Sequence, residues 1–533
     1  MKTAYDYIIV GAGTAGCLLA LRLSEDPQVT VCLVEAGGRR LNPWLHVPVG
    51  YFRTVGNPET DWCYQTEPEA GLEDRRIAWP RGRVFGGSGS INGLVYMRGQ
   101  AADYDDWATN GCPGWSWEEL LPYFRRSVDQ ERGADHWHGV GGPLGVSNDR
   151  TNFEICHRFV DAARELGLPA QEDCNRGDPY GVGYYQLTTR RGFRASTAEG
   201  LRRLARGRRN LTVKLNTQVH GIELEKQRAI GIRTYSRNGQ ARMLRATSEV
   251  ILSAGAIASP QLLMLSGIGP AGALRGHGID VAVDHPGVGQ NLQDHLKIHN
   301  VYRTRIPTLN DRLNRLGGRI GMGLEYLTRR RGPLTMGAAP VFCFAESSVA
   351  SGRPDVQFHV LPWSALDPAR GIMHPFSGFT PSLCPVKPES RGQITLASAN
   401  PSDPPRIEAN YLATARDRQT AVAALRLSRE ICAQPALASV IDSEVLPGAP
   451  AQSHDAILAY VRSHASTVFH PVGTCRMGVD QDAVVDPQLR VRGIQGLRVV
   501  DASIMPSITS GNTNGPVAAI AEKAADLIRR DER

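Results

Sequence analysis

The sequence predicts an α/β chain. A Rossmann-type dinucleotide-binding domain is joined to an α+β substrate domain with an antiparallel sheet. Three observations predict this. A strand, a G-x-G-x-x-G turn, a helix and a second strand ending on an acid occupy residues 7–35. A second glycine-rich stretch lies at residues 79–99, and period-two alternation among frequent prolines appears after residue 301. The length of 533 residues exceeds what one hydrophobic core serves, so two or more domains are expected.

The first element is the apolar run 7–10, which reads as a buried strand. It enters Gly11, Ala12, Gly13, Thr14, Ala15 and Gly16, then a leucine-rich helix. Gly11 permits the tight turn, Gly13 lets backbone approach a pyrophosphate, and Gly16 lets helix and strand pack closely. The unpaired N–H groups and positive dipole end at the helix start suit phosphates. The second strand, 29–34, ends at Glu35, where a carboxylate accepts from both ribose hydroxyls. This pattern does not choose between NAD and FAD.

Composition narrows the classes. Hydrophobic content is 41% and charged content 21%, ordinary for a globular protein. The formal charge of +7 is concentrated in arginine clusters at 202–209 and 329–331. No nucleic-acid motif or interleaved aromatics accompany them, so nucleic acid is not expected as a partner. Ten cysteines without a C-x-x-C read as free thiols in a reducing compartment. The chain enters its first strand almost at once, which predicts no leader peptide and a cytoplasmic protein. Residues 250–274 carry no charge and are long enough to span a bilayer, but Gly255, Ser259-Pro260-Gln261, Gly267 and Gly269-Pro270 break them into strand, turn, short helix and loop.

Further along, helices are predicted over 153–168 and 198–205, with a loop-rich segment at 170–194. Strands are predicted at 211–215 and 219–224, and 249–255 returns to the nucleotide sheet. His136 and His138 form an H-x-H pair without further spaced ligands, so no metal is expected. Asp294 and His295, in a glycine-bounded turn, read as structural. Residues 355–360 and 393–396 read as strands of the antiparallel sheet, and 416–433 and 453–464 as helices. Residues 313–331 are basic and partly amphipathic. They read as a surface helix or lid, with peripheral membrane contact as the alternative.

Residues 79–99, from Trp79 through Gly86-Gly87-Ser88-Gly89-Ser90 to Gly99, resemble the first signature of the glucose-methanol-choline (GMC) oxidoreductases. Residues 255–269 resemble the second, and the likeness runs from Tyr5 to Ile528. The resemblance implies the GMC fold and FAD, with the flavin ring against residues 86–95. It assigns cofactor binding to Gly11, Gly13, Thr14, Ala15, Gly16, Glu35 and Ala36. From the second glycine-rich stretch it adds Arg83, Gly86, Gly87, Ser88, Asn92, Gly93, Leu94 and Val95. It places Val219 near the adenine, and adds Ala254, Asp501, Ala502, Asn514 and Pro516. Phe85 stands where Leu, Ile or Trp is more usual. Members that attach FAD covalently carry His where this chain has Asn92, so non-covalent FAD is expected. The implied FAD-binding domain is discontinuous, over 1–150, 195–300 and 465–533, with the substrate domain over 151–194 and 301–464.

The chemistry concentrates near the C-terminus. His470 precedes Pro471, which biases it away from helical geometry and suits a fixed side chain at a loop tip. The stretch H-P-V-G-T-x-x-M resembles the family's active-site motif and implies that His470 is the catalytic base. The second catalytic partner aligns with Asn512, with Asn514 the near rival. A strand at 497–500 and a helix over 517–528, begun near Pro516, complete the unit. The implied reaction is oxidation of a primary alcohol to the aldehyde by proton removal and hydride transfer to flavin. Choline-oxidising relatives hold the quaternary ammonium with a Glu in an F-E-A-G-G-F-like stretch. Here residues 339–344 carry no carboxylate before Glu346, which disfavours choline. A choline dehydrogenase, a redox-neutral hydroxynitrile lyase and a flavin-carrying scaffold are the competing readings. Oxygen, a quinone and a soluble carrier all stay open as electron acceptor.

Overall fold

The parallel part of the first sheet is built from runs of three to twelve residues, of which the central ones, Val31–Val34 and Ile8–Val10, are buried on both faces. In the computed structural model, which describes residues 3–39, 41–235, 241–367 and 371–531, the strand order is Leu211–Lys214, Val31–Val34, Ala4–Val10, Ala241–Leu252, Leu497–Val499. All of these pair in parallel, with Ile9 opposite Leu33 on one side and Ile251 on the other. Val31, Cys32, Leu33 and Val34 are fully buried, as parallel strands covered by helices on both faces must be. The long strand Ala241–Leu252 also pairs, through its first half, with an antiparallel meander of Arg228–Tyr235 and Gln218–Glu225.

The last strand of the chain therefore lies beside the middle of the first domain. The helices follow it. The N-terminal helix, Thr14–Leu23, packs on the C-terminal helix, Asn514–Asp531, and both meet Trp117–Ser127. Their junction is ionic. Buried Glu522 accepts from Arg22 Nε at 2.8 Å and from Arg126 Nε at 2.6 Å. Breaking a buried pair of this kind costs about 3–5 kcal/mol, because the remaining charge is left desolvated.

The second layer is an eight-stranded antiparallel sheet. Its path runs Ile441–Leu446, Val301–Thr304, Gly378–Pro385, Val356–Leu361, Val341–Ala345, Gly181–Tyr184. Leu296–His299 joins it beside Gly378–Pro385 and carries Ser466–Thr467 on its other edge. One face packs on the helices Glu154–Glu165 and Ala415–Cys432. The pleat puts Gln357 and His359 on the opposite face.

Three expectations are corrected. Pro260 does not break the chain, because one helix spans Gly255–Leu265 with the proline inside it. Pro260 cannot donate to the carbonyl of Ala256, and Thr474 Oγ1 donates to that oxygen instead, at 2.6 Å. Residues 170–194 hold four short strands: Gly181–Tyr184 and Gln186–Leu187, whose partners lie far away in sequence, and Thr189–Arg190 and Phe193–Arg194, which pair with each other. Gln393–Thr395 pairs only with Arg406–Glu408, in a separate two-stranded ribbon, and not with the large sheet. The predicted helices otherwise form within one to three residues of their expected ends, as apolar spacing of three and four dictates.

Thr474→Val keeps side-chain volume but leaves the Ala256 carbonyl without that donor. It is expected to lower unfolding stability by about 1–3 kcal/mol, read as a shifted urea midpoint.

Candidate active site

The dinucleotide fingerprint does not stand alone. Its turn packs against the second glycine-rich stretch, and small residues are required at the contact. Gly11 has φ +96°, and a Cβ there would meet the Ser253 carbonyl oxygen at 2.5 Å. A Cβ on Gly87 would meet the Gly13 Cα at 2.8 Å. Gly86 N donates to Ala12 O at 2.8 Å. The two loops therefore form one surface, and Gly13 keeps an open side, with no atom nearer than 4.0 Å to a Cβ built there.

These residues fit a dinucleotide. The helix Thr14–Leu23 has no side-chain cap and no acid in its first turn, so its leading N–H groups are left for an anion. Glu35 is buried, and its carboxylate accepts from Ala12 N at 2.9 Å and Gly37 N at 2.8 Å. Burial pushes it up to about 7, against the pull of those N–H groups and of Arg83. Val219 lies two residues past Thr217, whose N–H donates to Glu35 O at 2.9 Å. Ala36 is partly buried beside Glu35, and Ala15 and Gly16 are buried in the helix start. Arg83 stacks over the Trp62 ring at 4.6 Å.

Beyond the phosphate loop, Ser88 Oγ accepts from Gly82 N at 3.1 Å and Gly93 O accepts from Ala338 N at 2.7 Å. Asn92 Oδ1 accepts from Leu94 N at 3.1 Å and from Arg194 Nη1 at 2.7 Å. Leu94 has φ +69°, and Val95 pairs with Leu187. Arg194 was not singled out from the sequence. It is buried without a carboxylate beside it, burial pushes it down to about 9, and it also donates to Asn92 O at 2.8 Å. Its partners lie about a hundred residues away, so no local motif announces it.

The C-terminal segment closes over these loops. Asp501 accepts from Gly255 N at 2.8 Å and Ser259 Oγ at 2.6 Å, beside Ala254, whose N–H donates to Ser259 Oγ at 3.1 Å. Gly473 N donates to Ala502 O at 3.2 Å, which lays the H-P-V-G-T stretch along residues 502–504. Asn514 accepts from Thr14 Oγ1 at 2.7 Å, at the fingerprint turn, and Pro516 is buried two residues further on. Asn512 points elsewhere. Its Nδ2 lies 3.0 Å from His470 Nε2.

His470 is held on three sides. Its backbone N–H donates to Asp294 Oδ1 at 2.7 Å. Asp294 Oδ2 in turn accepts from Thr467 Oγ1 at 2.5 Å and from the Tyr411 hydroxyl. His470 Nδ1 lies 3.1 Å from His295 Nδ1, and His295 Nε2 lies 3.2 Å from the Val386 carbonyl oxygen. Asn512 Oδ1 faces Gln357 Nε2 at 3.3 Å and His359 Nε2 at 3.4 Å. One proton arrangement satisfies the whole chain. His295 Nε2 donates to Val386, His470 Nδ1 donates to His295, and Asn512 Nδ2 donates to His470 Nε2. Gln357 and His359 then donate to Asn512 Oδ1. The free lone pair of His470 is thereby fixed on Nε2.

Asp294 and His295, read from sequence as parts of a structural turn, thus touch His470 directly. The Asp-His pair itself was the available signal, but its partner lies 175 residues later. Burial, then the neighbouring His295, His359, Arg81 and Lys297, hold His470 well below the usual imidazole range. Burial pushes His295 down to about 3 and His359 to about 4. All three imidazoles are neutral near pH 7. Register aligns His299 and His359 through Ser382, and Gln357 through Cys384, on the sheet face toward this site. Phe342 and Phe344 pair opposite His359 and Gln357 on the same face.

The His136–His138 pair does not converge on a metal. His138 sits between Asp135 at 2.8 Å and Asp173 at 3.0 Å. Among the described residues no group of three ligands could hold a metal ion, and no helix is long and apolar enough to cross a membrane.

Two family models, both described as GMC oxidoreductase, match residues 5–297 and 388–521. The chain belongs to the GMC oxidoreductases. It is 43% identical to the mitochondrial choline dehydrogenase of Homo sapiens, over 99% of this chain and 90% of that one. It is 42% identical to an alcohol dehydrogenase [acceptor] of Pseudomonas putida, over 99% and 96%. Among solved structures, pyridoxine 4-oxidase from Mesorbium loti superposes with TM-score 0.88 at 35% identity, covering 99% of both chains. Formate oxidase from Aspergillus oryzae RIB40 superposes at 0.93 with 29% identity, again over 99% of both. GMC oxidoreductases bind FAD, and this chain is an enzyme of that family acting on CH–OH groups.

Proposed function

We infer that this GMC oxidoreductase oxidises a primary alcohol other than choline to its aldehyde. In this reading His470 is the base, Asn512 the hydrogen-bond donor, and FAD is held without a covalent bond. The observation that carries the reading is the 3.0 Å approach of Asn512 Nδ2 to His470 Nε2, with the His470 proton fixed on the other nitrogen. A substrate hydroxyl beside the pair takes over their mutual hydrogen bond, donating its proton to Nε2 and accepting from Asn512. An alcohol C–H is a poor hydride donor until that proton leaves. As alkoxide charge develops, the Asn512 N–H stabilises it, a contribution typically of about 3 kcal/mol. His295 holds the imidazole through Nδ1 and Asp294 holds its backbone N–H, so that the lone pair stays aimed at this oxygen. When bound, FAD supplies the hydride acceptor.

The surroundings favour an uncharged or electron-rich substrate over a quaternary ammonium. The strand Val341–Ala345 brings no carboxylate to the site, and Glu346 lies exposed past its end. Lys297, its ammonium 5.5 Å from the centroid of the Phe469 ring, adds positive charge near His470. The choline dehydrogenase reading keeps one specific support, the 41–43% identity to relatives of that name. Anaerobic flavin reduction across an alcohol panel that includes choline separates the two, and a lyase would bleach with none of them.

His470→Ala is expected to retain flavin but slow anaerobic reduction by ~10²-fold or more. Unchanged bleaching in stopped flow would remove His470 from the mechanism. The depressed His470 basicity also sets a pH dependence. The base form is already present at pH 6.5 and above, and is lost only as pH falls through the lowered value. With FAD in excess, the reduction rate should therefore stay flat on acidification through the ordinary imidazole range. An acid limb centred at or above 6.5 would contradict this.

Asn92 cannot form the bond that a histidine forms to flavin, and its amide oxygen is taken by Leu94 and Arg194. Acid precipitation should leave the yellow colour in the supernatant. Colour in the pellet would mean covalent attachment.

A further inference from the structure

The helix Leu316–Arg329 turns one apolar stripe away from the protein. Leu316, Ile320, Leu324 and Leu327 recur at spacings of four, four and three, and are 74%, 63%, 61% and 66% exposed. The opposite face does the packing, through buried Met322 and Tyr326, whose hydroxyl donates to Gly192 O at 3.1 Å. Four large aliphatic side chains in one helical row, all mostly in water, are not what a solvated helix presents. Exposed Arg315, Arg319, Arg329 and Arg331 flank the row at both ends. The helix carries one acid, Glu325, and it is paired with Arg312 at 2.9 Å.

A neighbouring hairpin exposes two more large apolar side chains. Leu366 is 71% and Ile372 45% exposed, on strands Ala365–Asp367 and Ile372–Met373. Asn310 and Asn314, just before the helix, donate to His374 O at 3.0 and 2.9 Å and so tie the hairpin to it.

We propose that the helix Leu316–Arg329 docks on an anionic membrane surface, with its leucine–isoleucine row in the acyl boundary and its flanking arginines on lipid headgroups. The charge pattern chooses this occupant. A second copy of the same face would bring two arginine sets together with no spare acid on the helix to meet them, which like-charge repulsion disfavours. A surface of anionic lipid offers both an apolar layer and negative charge. The helix also leads straight to the reaction centre. After Pro333–Thr335, Ala338 N donates to Gly93 O in the glycine-rich stretch at 2.7 Å. Docking therefore brings the loop beside the flavin-binding stretch toward the lipid surface, where apolar alcohols and lipid-soluble acceptors concentrate.

The test is co-sedimentation of the full-length, FAD-loaded protein with phosphatidylcholine vesicles, with and without about 30 mol % phosphatidylglycerol. Binding to the anionic vesicles is expected, ~10-fold or more above binding to pure phosphatidylcholine and weakened by ~0.5 M salt. The combined variant Leu316→Gln, Ile320→Gln, Leu324→Gln, Leu327→Gln should lose ~10-fold or more of that binding. It should keep its flavin and its turnover of a water-soluble alcohol with a soluble dye acceptor. The variant Arg315→Gln, Arg319→Gln, Arg329→Gln, Arg331→Gln should lose the preference for anionic vesicles. Absence of vesicle binding by the wild-type protein would overturn the proposal, as would equal binding by the leucine–isoleucine variant. So would a wild-type dimer in light scattering that the same variant converts to monomer while vesicle binding is absent.

Discussion

The site depends on one hydrogen-bond chain: Val386 O, His295, His470, Asn512 and the pair Gln357 and His359. Each neutral imidazole has one donor and one acceptor to spend, and the Val386 carbonyl at the end of the chain only accepts, so the direction of the ring protons is fixed by their neighbours. The chain leaves a single unprotonated ring nitrogen, on His470 Nε2, facing an amide N–H. Burial then keeps the imidazoles neutral, because a charged ring there would lack water. A ring-nitrogen acceptor and an amide donor within 3.0 Å of each other follow from that arrangement.

Large-scale packing brings these members together. His470 and Asn512 come from the last part of the chain, His295 from its middle, and Gln357 and His359 from the antiparallel sheet. The strand Leu497–Val499 takes the C-terminal segment into the parallel sheet beside Val250–Leu252. Glu522, shared by Arg22 and Arg126, locks the last helix to the first. The bridge between Gln293 and Val472, hydrogen-bonded in both directions, sets the His295 strand beside the His470 loop. Thr474 adds the tie to the Ala256 carbonyl that Pro260 frees. The reaction centre and the dinucleotide turn are thus parts of one packing problem, and a change at their junction is felt by both.

Much of this was legible beforehand. The fingerprint, with Gly11, Gly16 and Glu35, is a short-range pattern whose spacing follows from backbone sterics, and it formed as read. The helices were legible because apolar residues repeat every three or four positions. Pro260 misled because part of the cost of a proline within a helix is the carbonyl it frees, and here a donor for that carbonyl comes from residue 474. The strands within 170–194 were missed because each is only two to four residues long, and two of them, Gly181–Tyr184 and Gln186–Leu187, depend on partners elsewhere. Gln357 and His359 look like the polar half of an alternating, solvent-facing strand. They are buried because the second face of the sheet covers the site.

The sequence by itself determined the family, the glycine-rich turn and the order of the elements, and it narrowed the proposed chemistry to His470 and one of two asparagines. Those properties live in local spacing and in motif order. Tertiary structure alone decided which asparagine meets His470. Asn512 and Asn514 are two residues apart, yet one lies 3.0 Å from the imidazole and the other binds Thr14. It alone decided that Asp294 and His295 support the base, that Arg194 holds Asn92, and that the row from Leu316 to Leu327 faces outward. Each of these depends on which distant backbone lies opposite, and one-dimensional spacing does not encode that.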